Sequence, residues 1–262
     1  MIDVFYNFGI QVLFTLGLIL IFGLLIRLCN VWFYRNMGSF GRTACYVTGF
    51  IGTPVHECAH ALMCIIFGHK ITDMKLFQIS SSDGTLGYVE HSYNRKNLYH
   101  RIGNFFIGIA PILVISAVLY FLASYLVPDM LREVTRAVSL IDTKSGIAEV
   151  LVQLVNAVLI FFSYFSIGEW WIFVILGSFL ALHMTLSPAD IKNAKGGLIL
   201  LLLLLLGVDA FLYFFGLHTA LGAVTTACIT IGSYLTTFLV MGLIVSLFAV
   251  LVSIIIRKLL RR

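Results

Sequence analysis

Seven apolar stretches make up most of this chain, and most of them have the roughly 20 residues that a helix needs to cross a lipid bilayer. Of the 262 residues, 60% are hydrophobic and only 11% are charged, whereas a soluble domain is about one quarter charged. Because the hydrocarbon core offers no water to backbone polar groups, such stretches fold as helices. The predicted spans are Phe8–Leu28, Tyr46–Phe67, Phe105–Val127, Ile147–Phe165, Trp170–Leu186, Leu198–Leu217 and Ala223–Ile256. We therefore predict an all-α polytopic membrane protein with six or seven transmembrane helices, forming a single integral membrane domain over residues 1–262.

The basic residues lie in short loops and at the C-terminus, so the net charge of +5 does not indicate nucleic-acid binding. The first apolar stretch has no basic segment before it and no cleavage pattern after it, which predicts a transmembrane helix and not a signal peptide. The positive charges do not distinguish six crossings with the N-terminus inside from seven with it outside. Both arrangements place the C-terminus and residues 187–196 in the cytoplasm, and we expect the cell membrane as the location. The sequence does not indicate an oligomeric state.

The second apolar stretch contains the pattern His-Glu-x-x-His at His56, Glu57 and His60. Histidines four residues apart lie on one face of a helix, so both rings can reach one tetrahedral Zn²⁺. The glutamate between them is predicted to be the general base for an attacking water. Ionisable groups at membrane depth are costly, so these three require a partner, and a metal ion fits best. The alternative is that they pair with one another in a polar helix seam, which would not require this order or spacing.

A catalytic zinc takes three protein ligands, so a third must come from elsewhere in the chain. The candidates at or near membrane depth are Asp190, His183, Asp209, Glu169 and His218. We favour Asp190 because Pro188 is expected to end or kink the preceding helix, and irregular backbone at this depth lines a polar cavity. His183 is expected to hydrogen-bond in the core or to support the site. Asp209 is expected to support the site or to pack between helices.

Two loops carry a pattern of their own. In residues 68–101, apolar runs at 71–79 and 86–89 flank a turn at residues 80–84, which predicts a β-hairpin. Its free edge would suit strand addition by an extended peptide, although an ordinary surface hairpin explains the pattern equally well. Residues 129–146 place apolar side chains at helical spacing among charges, which predicts an amphipathic helix at the interface.

Together, these features resemble the site-2 proteases, a family of intramembrane zinc metalloproteases. Gly68–Ile71 and Met74–Phe77 look like the strand that follows the family's motif helix, Gly87–Val89 is similar to its return strand, and Gly108–Pro111 is similar to the start of its second core helix. The resemblance runs from about Gly52 to Gly196. It departs at residues 187–191, which read Ser-Pro-Ala-Asp-Ile where the family has Asn-Pro-Asp-Gly or Leu-Asp-Gly.

The resemblance implies a catalytic core over residues 44–196, followed by additional transmembrane helices over residues 197–262. It implies a zinc metalloendopeptidase in which His56, His60 and Asp190 hold Zn²⁺ and Glu57 is catalytic. The expected partners are a membrane protein or peptide substrate and membrane lipid. It also implies that the helices bearing His56 and Asp190 run in the same direction, which favours six crossings.

Two other functions are compatible with the motif. A Ste24-like membrane zinc protease would use Glu169 or Glu149 as its third ligand. A non-catalytic scaffold would keep the metal for structure alone and would have no use for Glu57.

Overall fold

A computed structural model describes residues 2–79, 84–139 and 147–260 of the chain. Helix α1 continues through a π-helical turn, Leu13–Gly17, into α2, and a 3-10 turn, Gly38–Phe40, connects α2 to α3. The elements are α1 (Ile2–Val12), α2 (Leu18–Met37), α3 (Gly41–Ile66), β1 (Lys70–Lys75), β2 (Tyr88–Ser92), α4 (Leu98–Leu126), α5 (Pro128–Ser139), α6 (Ile147–Ser163), α7 (Gly168–Ala181), α8 (Pro188–Phe214) and α9 (His218–Leu260). The predicted all-α architecture with one small β-hairpin is confirmed.

Four apolar helical segments are long enough to cross a membrane: Ile2–Ile66, Leu98–Leu126, Pro188–Phe214 and His218–Leu259. The first of these folds back on itself at Gly38, whose φ is +55°. The Tyr34 hydroxyl lies 3.4 Å from Thr48 Oγ1, whereas a straight helix would hold the two residues about 21 Å apart. The chain therefore reverses direction between α2 and α3.

The shorter helices α6 and α7 are also apolar. The protein is thus a multi-pass α-helical membrane protein, while the number of crossings stays a prediction. Helix α9 has 43 residues and extends roughly 65 Å, about twice the hydrocarbon thickness. The last apolar stretch is therefore too long for a single upright span.

The prediction for Pro188 was wrong in one respect. Helix α7 already ends at Ala181, short of the predicted Leu186, and Pro188 does not terminate it. Proline instead occupies the first turn of α8, where its missing N–H would have had no helical partner. The Ser187 side chain caps this turn, so α8 begins well before the predicted Leu198.

The predicted hairpin is confirmed, with different strand bounds. Strands β1 and β2 are antiparallel, with Lys70 opposite Ser92 and Lys75 opposite Tyr88. The runs that flank the turn, residues 76–79 and 84–87, lie outside the strands, and the predicted turn residues 80–83 lie outside the described residues.

The predicted amphipathic helix is confirmed over α5, while its place at the membrane interface stays a prediction. This helix buries one face and exposes its charged residues. Residues 140–146 lie outside the described residues.

Helix α4 fixes the directions of the two helices that carry the candidate ligands. On α3, His60 contacts Ile107, and Phe67 lies where a Cβ on Gly103 would meet it at 2.5 Å. Position along α3 therefore increases as position along α4 decreases, so the two helices are antiparallel.

Helix α8 packs closely against α4 at two glycines. A Cβ on Gly108 would lie 2.7 Å from the Asp190 carbonyl oxygen, and one on Gly197 would lie 2.5 Å from the Arg101 carbonyl oxygen. Small residues allow this close approach. Since α3 and α8 are both antiparallel to α4, they run parallel to each other, as the family resemblance implies.

Candidate metal centre

His56, His60 and Asp190 converge where α3 meets the start of α8. One ligand atom from each lies within 4.8 Å of the others. His60 Nε2 is 3.1 Å from His56 Nε2 and 3.4 Å from Asp190 Oδ1. The three side chains that the sequence predicts as ligands are therefore adjacent in the structure, although 130 residues separate His60 from Asp190 along the chain.

The other nitrogen of each imidazole is hydrogen-bonded to a backbone carbonyl oxygen. His56 Nδ1 lies 2.7 Å from the His183 carbonyl oxygen, and His60 Nδ1 lies 2.7 Å from the Ile107 carbonyl oxygen. A carbonyl oxygen can only accept, so each Nδ1 carries the hydrogen and donates it. In the neutral rings, each Nε2 therefore carries a lone pair and no hydrogen, and the two lone pairs face each other.

Two Nε2 lone pairs and a carboxylate oxygen form a cluster of three acceptors with no donor between them. The side chains of His60 and Asp190 are only 7% and 15% exposed, so water screens the cluster poorly. A cation resolves this repulsion. Two imidazoles and a carboxylate are a donor set that fits zinc, and backbone carbonyls on the outer nitrogens orient such ligands. A proton shared within the cluster is the other cation that fits.

The first turn of α8 positions the Asp190 carboxylate. Asp190 Oδ2 accepts a hydrogen bond from the Ser187 backbone N–H at 2.7 Å, and Ser187 Oγ accepts one from the Asp190 N–H at 3.1 Å. This reciprocal cap occupies Oδ2 and leaves Oδ1 facing His60. The signal for it, Ser187 three residues before an acidic residue with Pro188 between them, is readable in the sequence but was missed.

Glu57 lies beside this cluster and is only 6% exposed. It faces a small cavity of about 230 Å³ that is also lined by His56, Thr53 and His183. Among the described residues, no side chain or backbone group forms a hydrogen bond with its carboxylate. An acidic group without a fixed partner, next to a convergent acceptor site, suits proton transfer.

The segment that leads into β2 lies directly over Glu57. A Cβ on Gly87 would be 2.8 Å from Glu57 Cγ and 2.9 Å from the Leu76 carbonyl oxygen. Glycine is therefore required for this close approach. The sequence indicated a return strand here but not its contact with the predicted base.

His183 has two roles, which match the two expectations for it. Its ring is hydrogen-bonded between Thr48 Oγ1, at 3.1 Å from Nε2, and Thr53 Oγ1, at 3.3 Å from Nδ1. Its backbone carbonyl holds His56. Close packing at Gly52, where a Cβ would lie 2.5 Å from His183 Cδ2, keeps the ring in place.

The remaining candidates lie elsewhere. Asp209 is fully buried and accepts a hydrogen bond from Gln11 Nε2 at 3.0 Å, so it packs between α8 and α1. Glu169, Glu149 and His218 are exposed on their helices. Within the described residues, the group of His56, His60 and Asp190 is the one that meets the geometric requirement for a metal.

Comparisons of the chain with protein-family models, with curated proteins and with solved structures return no match. The resemblance to site-2 proteases therefore rests on the motif residues.

Proposed function

We propose that this protein is an intramembrane zinc metalloprotease that hydrolyses a peptide bond within or beside a transmembrane segment of another membrane protein. The observation that carries this proposal is the placement of Glu57. It has no hydrogen-bond partner among the described residues, and it lies beside three convergent acceptors, two of which are imidazoles fixed by backbone carbonyls.

The roles of the residues follow from this arrangement. His56, His60 and Asp190 would hold the ion, which when bound supplies a Lewis acid for the scissile carbonyl and for water. Glu57 takes a proton from the water whose oxygen attacks the carbonyl carbon. It then delivers that proton to the amide nitrogen as the C–N bond breaks.

A transmembrane substrate must unwind locally, because a helix shields its own carbonyls. The hairpin after α3 supports this step, since its second strand has an edge that no other described strand covers and leads through Gly87 onto Glu57. An extended segment that adds to this edge gains backbone hydrogen bonds in place of those lost from its helix.

We also propose a cell-membrane location with the C-terminus in the cytoplasm. Arg257 and Lys258 end α9, and Lys192 and Lys195 begin α8. Basic residues next to membrane spans favour the cytoplasmic side.

No observation favours the two alternatives. Glu169 is at the far end of α7 from His183, about 20 Å along the helix, so it does not reach the histidines. A purely structural metal site would leave Glu57 buried beside it without a role.

The test is Glu57→Gln, compared with Glu169→Gln as the same change at an exposed position. We expect the first variant to retain zinc and to lose at least about 100-fold in cleavage rate, the scale of general-base catalysis. We expect the second to behave as the wild type. Cleavage is measured on a panel of quenched-fluorescence transmembrane peptides in reconstituted membranes, and zinc by elemental analysis. Full activity in Glu57→Gln contradicts the proposed mechanism.

A further inference from the structure

A second cavity lies among the described residues, apart from the one that Glu57 lines. It measures about 700 Å³ and lies between β2 and the first turns of α4 and α8. Tyr88, Val89, Glu90 and His91 of β2 all line it. Side chains alternate between the two faces of a strand, so four consecutive lining residues indicate that the backbone of β2 forms part of the cavity wall. Thr72, at the irregularity of β1, lines the cavity as well.

One edge of β2 is free in the described structure. The sheet has two strands, and β1 occupies only the opposite edge of β2. The outward N–H and C=O groups of β2 are therefore available to an added strand.

The wall opposite β2 is basic. Arg101 of α4 and Lys192 of α8 line the cavity, and neither belongs to an ion pair among the described residues. Close packing at Gly197, which rests on the Arg101 backbone, fixes the two helices that present these cations. Glu90 lines the cavity as well but pairs with neither cation.

A buried amide lies between these groups. Asn104 is only 6% exposed, lines the cavity, and forms no side-chain hydrogen bond with any described residue. Nearly all polar side chains with so little exposure have a partner. Because the Asn104 amide lines the cavity, a polar group bound there can supply that partner.

We propose that this cavity binds an extended peptide segment that adds to the free edge of β2 and carries an acidic side chain, which Arg101, Lys192 and Asn104 recognise. A carboxylate accepts from all three donors at once, and charge-assisted hydrogen bonds to arginine are strong and directional. As a statement about substrate, this inference rests on the proposed function: the bound strand continues along β2 to Gly87 and Glu57, roughly 13 Å away. The acidic residue then lies within about five residues of the scissile bond.

Binding is tested separately from cleavage. Full-length Glu57→Gln protein in lipid nanodiscs is titrated with a labelled peptide of about nine residues, alternating valine and threonine with one central glutamate, and with its glutamine twin. We expect the glutamate peptide to bind about tenfold more tightly, the scale of one charged hydrogen-bonded contact. Arg101→Gln and Lys192→Gln should each reduce this preference, whereas Lys195→Gln, on the same helix outside the cavity, should not.

Charge reversal gives the sharper result. The double variant Arg101→Glu, Lys192→Glu should prefer a peptide with central lysine, a change that unfolding cannot produce. Equal binding of the glutamate and glutamine peptides overturns the inference. The inference is also overturned if Arg101→Gln weakens binding of a soluble short-chain phosphatidylglycerol but not of the peptide, because the cavity would then be a lipid headgroup site.

The two proposals fail independently. If acidic peptides bind as expected but no substrate is cleaved, the protease function is wrong and the binding site stands. If cleavage occurs with no preference for acidic residues near the scissile bond, the acidic-peptide site is wrong and the protease function stands.

Discussion

In each of two histidine pairs of this molecule, the two rings approach to nearly the same distance. The pairs differ in whether their ring nitrogens can hydrogen-bond to each other. His56 and His60 approach through ring nitrogens 3.1 Å apart, and His69 and His91 through ring nitrogens 3.0 Å apart. The difference lies in what the remaining nitrogens do. His56 and His60 each donate Nδ1–H to a backbone carbonyl, which leaves two lone pairs facing each other.

The second pair has no such conflict. His69 Nε2 lies 2.9 Å from the His100 carbonyl oxygen and must donate to it, so His69 Nδ1 is an acceptor. His91 Nδ1–H can then donate to it, and the pair is satisfied without a cation or a third ligand. Distance alone therefore does not identify a metal site. The partners of the outer nitrogens decide whether two imidazoles compete for a cation or share a hydrogen bond.

The largest of the remaining effects concerns the base beside the first pair. Gly87→Ala should push the hairpin segment off Glu57, because the new Cβ would lie 2.8 Å from Glu57 Cγ and 2.9 Å from a backbone oxygen. We expect cleavage to fall at least about tenfold with zinc content unchanged, since small displacements in an active site are costly. Gly207→Ala, with no atom within 4 Å of its Cβ, is the matched control. Normal cleavage by Gly87→Ala would mean that this contact does not position the base.

A smaller effect should distinguish the role of Asp190 from that of Asp209, the second aspartate of α8. Asp209 is 19 residues further along, about 28 Å, and Gln11 Nε2 donates to it and to Thr225 Oγ1 at 3.0 Å each. Gln11→Leu should reduce the free energy of unfolding by about 1–3 kcal/mol, the cost of leaving a buried acceptor unpaired. Zinc content and cleavage per folded molecule should not change. Loss of zinc in Gln11→Leu would instead link this cluster to the metal centre.

The smallest effect is a pH dependence of the second histidine pair. Burial lowers the pKa of His69 and of His91 below the ordinary value of 6.5. Below about pH 6.5 the unfolded hairpin therefore binds more protons than the folded one. The folded hairpin has its full stability above about pH 6.5 and loses stability as the pH falls below that value. Hydrogen exchange of β1 and β2 amides, corrected for intrinsic rates, should accelerate at lower pH. Exchange in α5, which contains no histidine, should not accelerate at lower pH. The variant His91→Asn should weaken the pH dependence of exchange in the hairpin. If protection of the hairpin amides from exchange does not change with pH, this account is contradicted.

The sequence was sufficient wherever local patterns decide the outcome. The apolar stretches predicted the membrane helices because length and composition alone set this preference. The four-residue spacing of His56 and His60 places them on one helix face wherever that helix packs. The hairpin followed from two apolar runs around a turn, although its strand bounds did not.

What the sequence could not provide depends on helix packing. Every residue offers a carbonyl, so nothing in the sequence identifies Ile107 and His183 as the ones that orient the two imidazoles. The contact of Gly87 with Glu57 arises from how the hairpin folds back over α3. Pro188 was assigned to the wrong helix because proline both follows a helix end and opens a new helix, and only the cap by Ser187 distinguishes the two.

The most direct test is zinc content per protein chain, measured after purification in parallel for the wild type, His60→Ala, Asp190→Ala and His91→Ala. The account predicts about one zinc in the wild type and in His91→Ala, and a large loss in His60→Ala and Asp190→Ala. Among the described residues, only the first pair and its carboxylate converge as acceptors. Equal zinc content in all four proteins, or loss in His91→Ala alone, would contradict it.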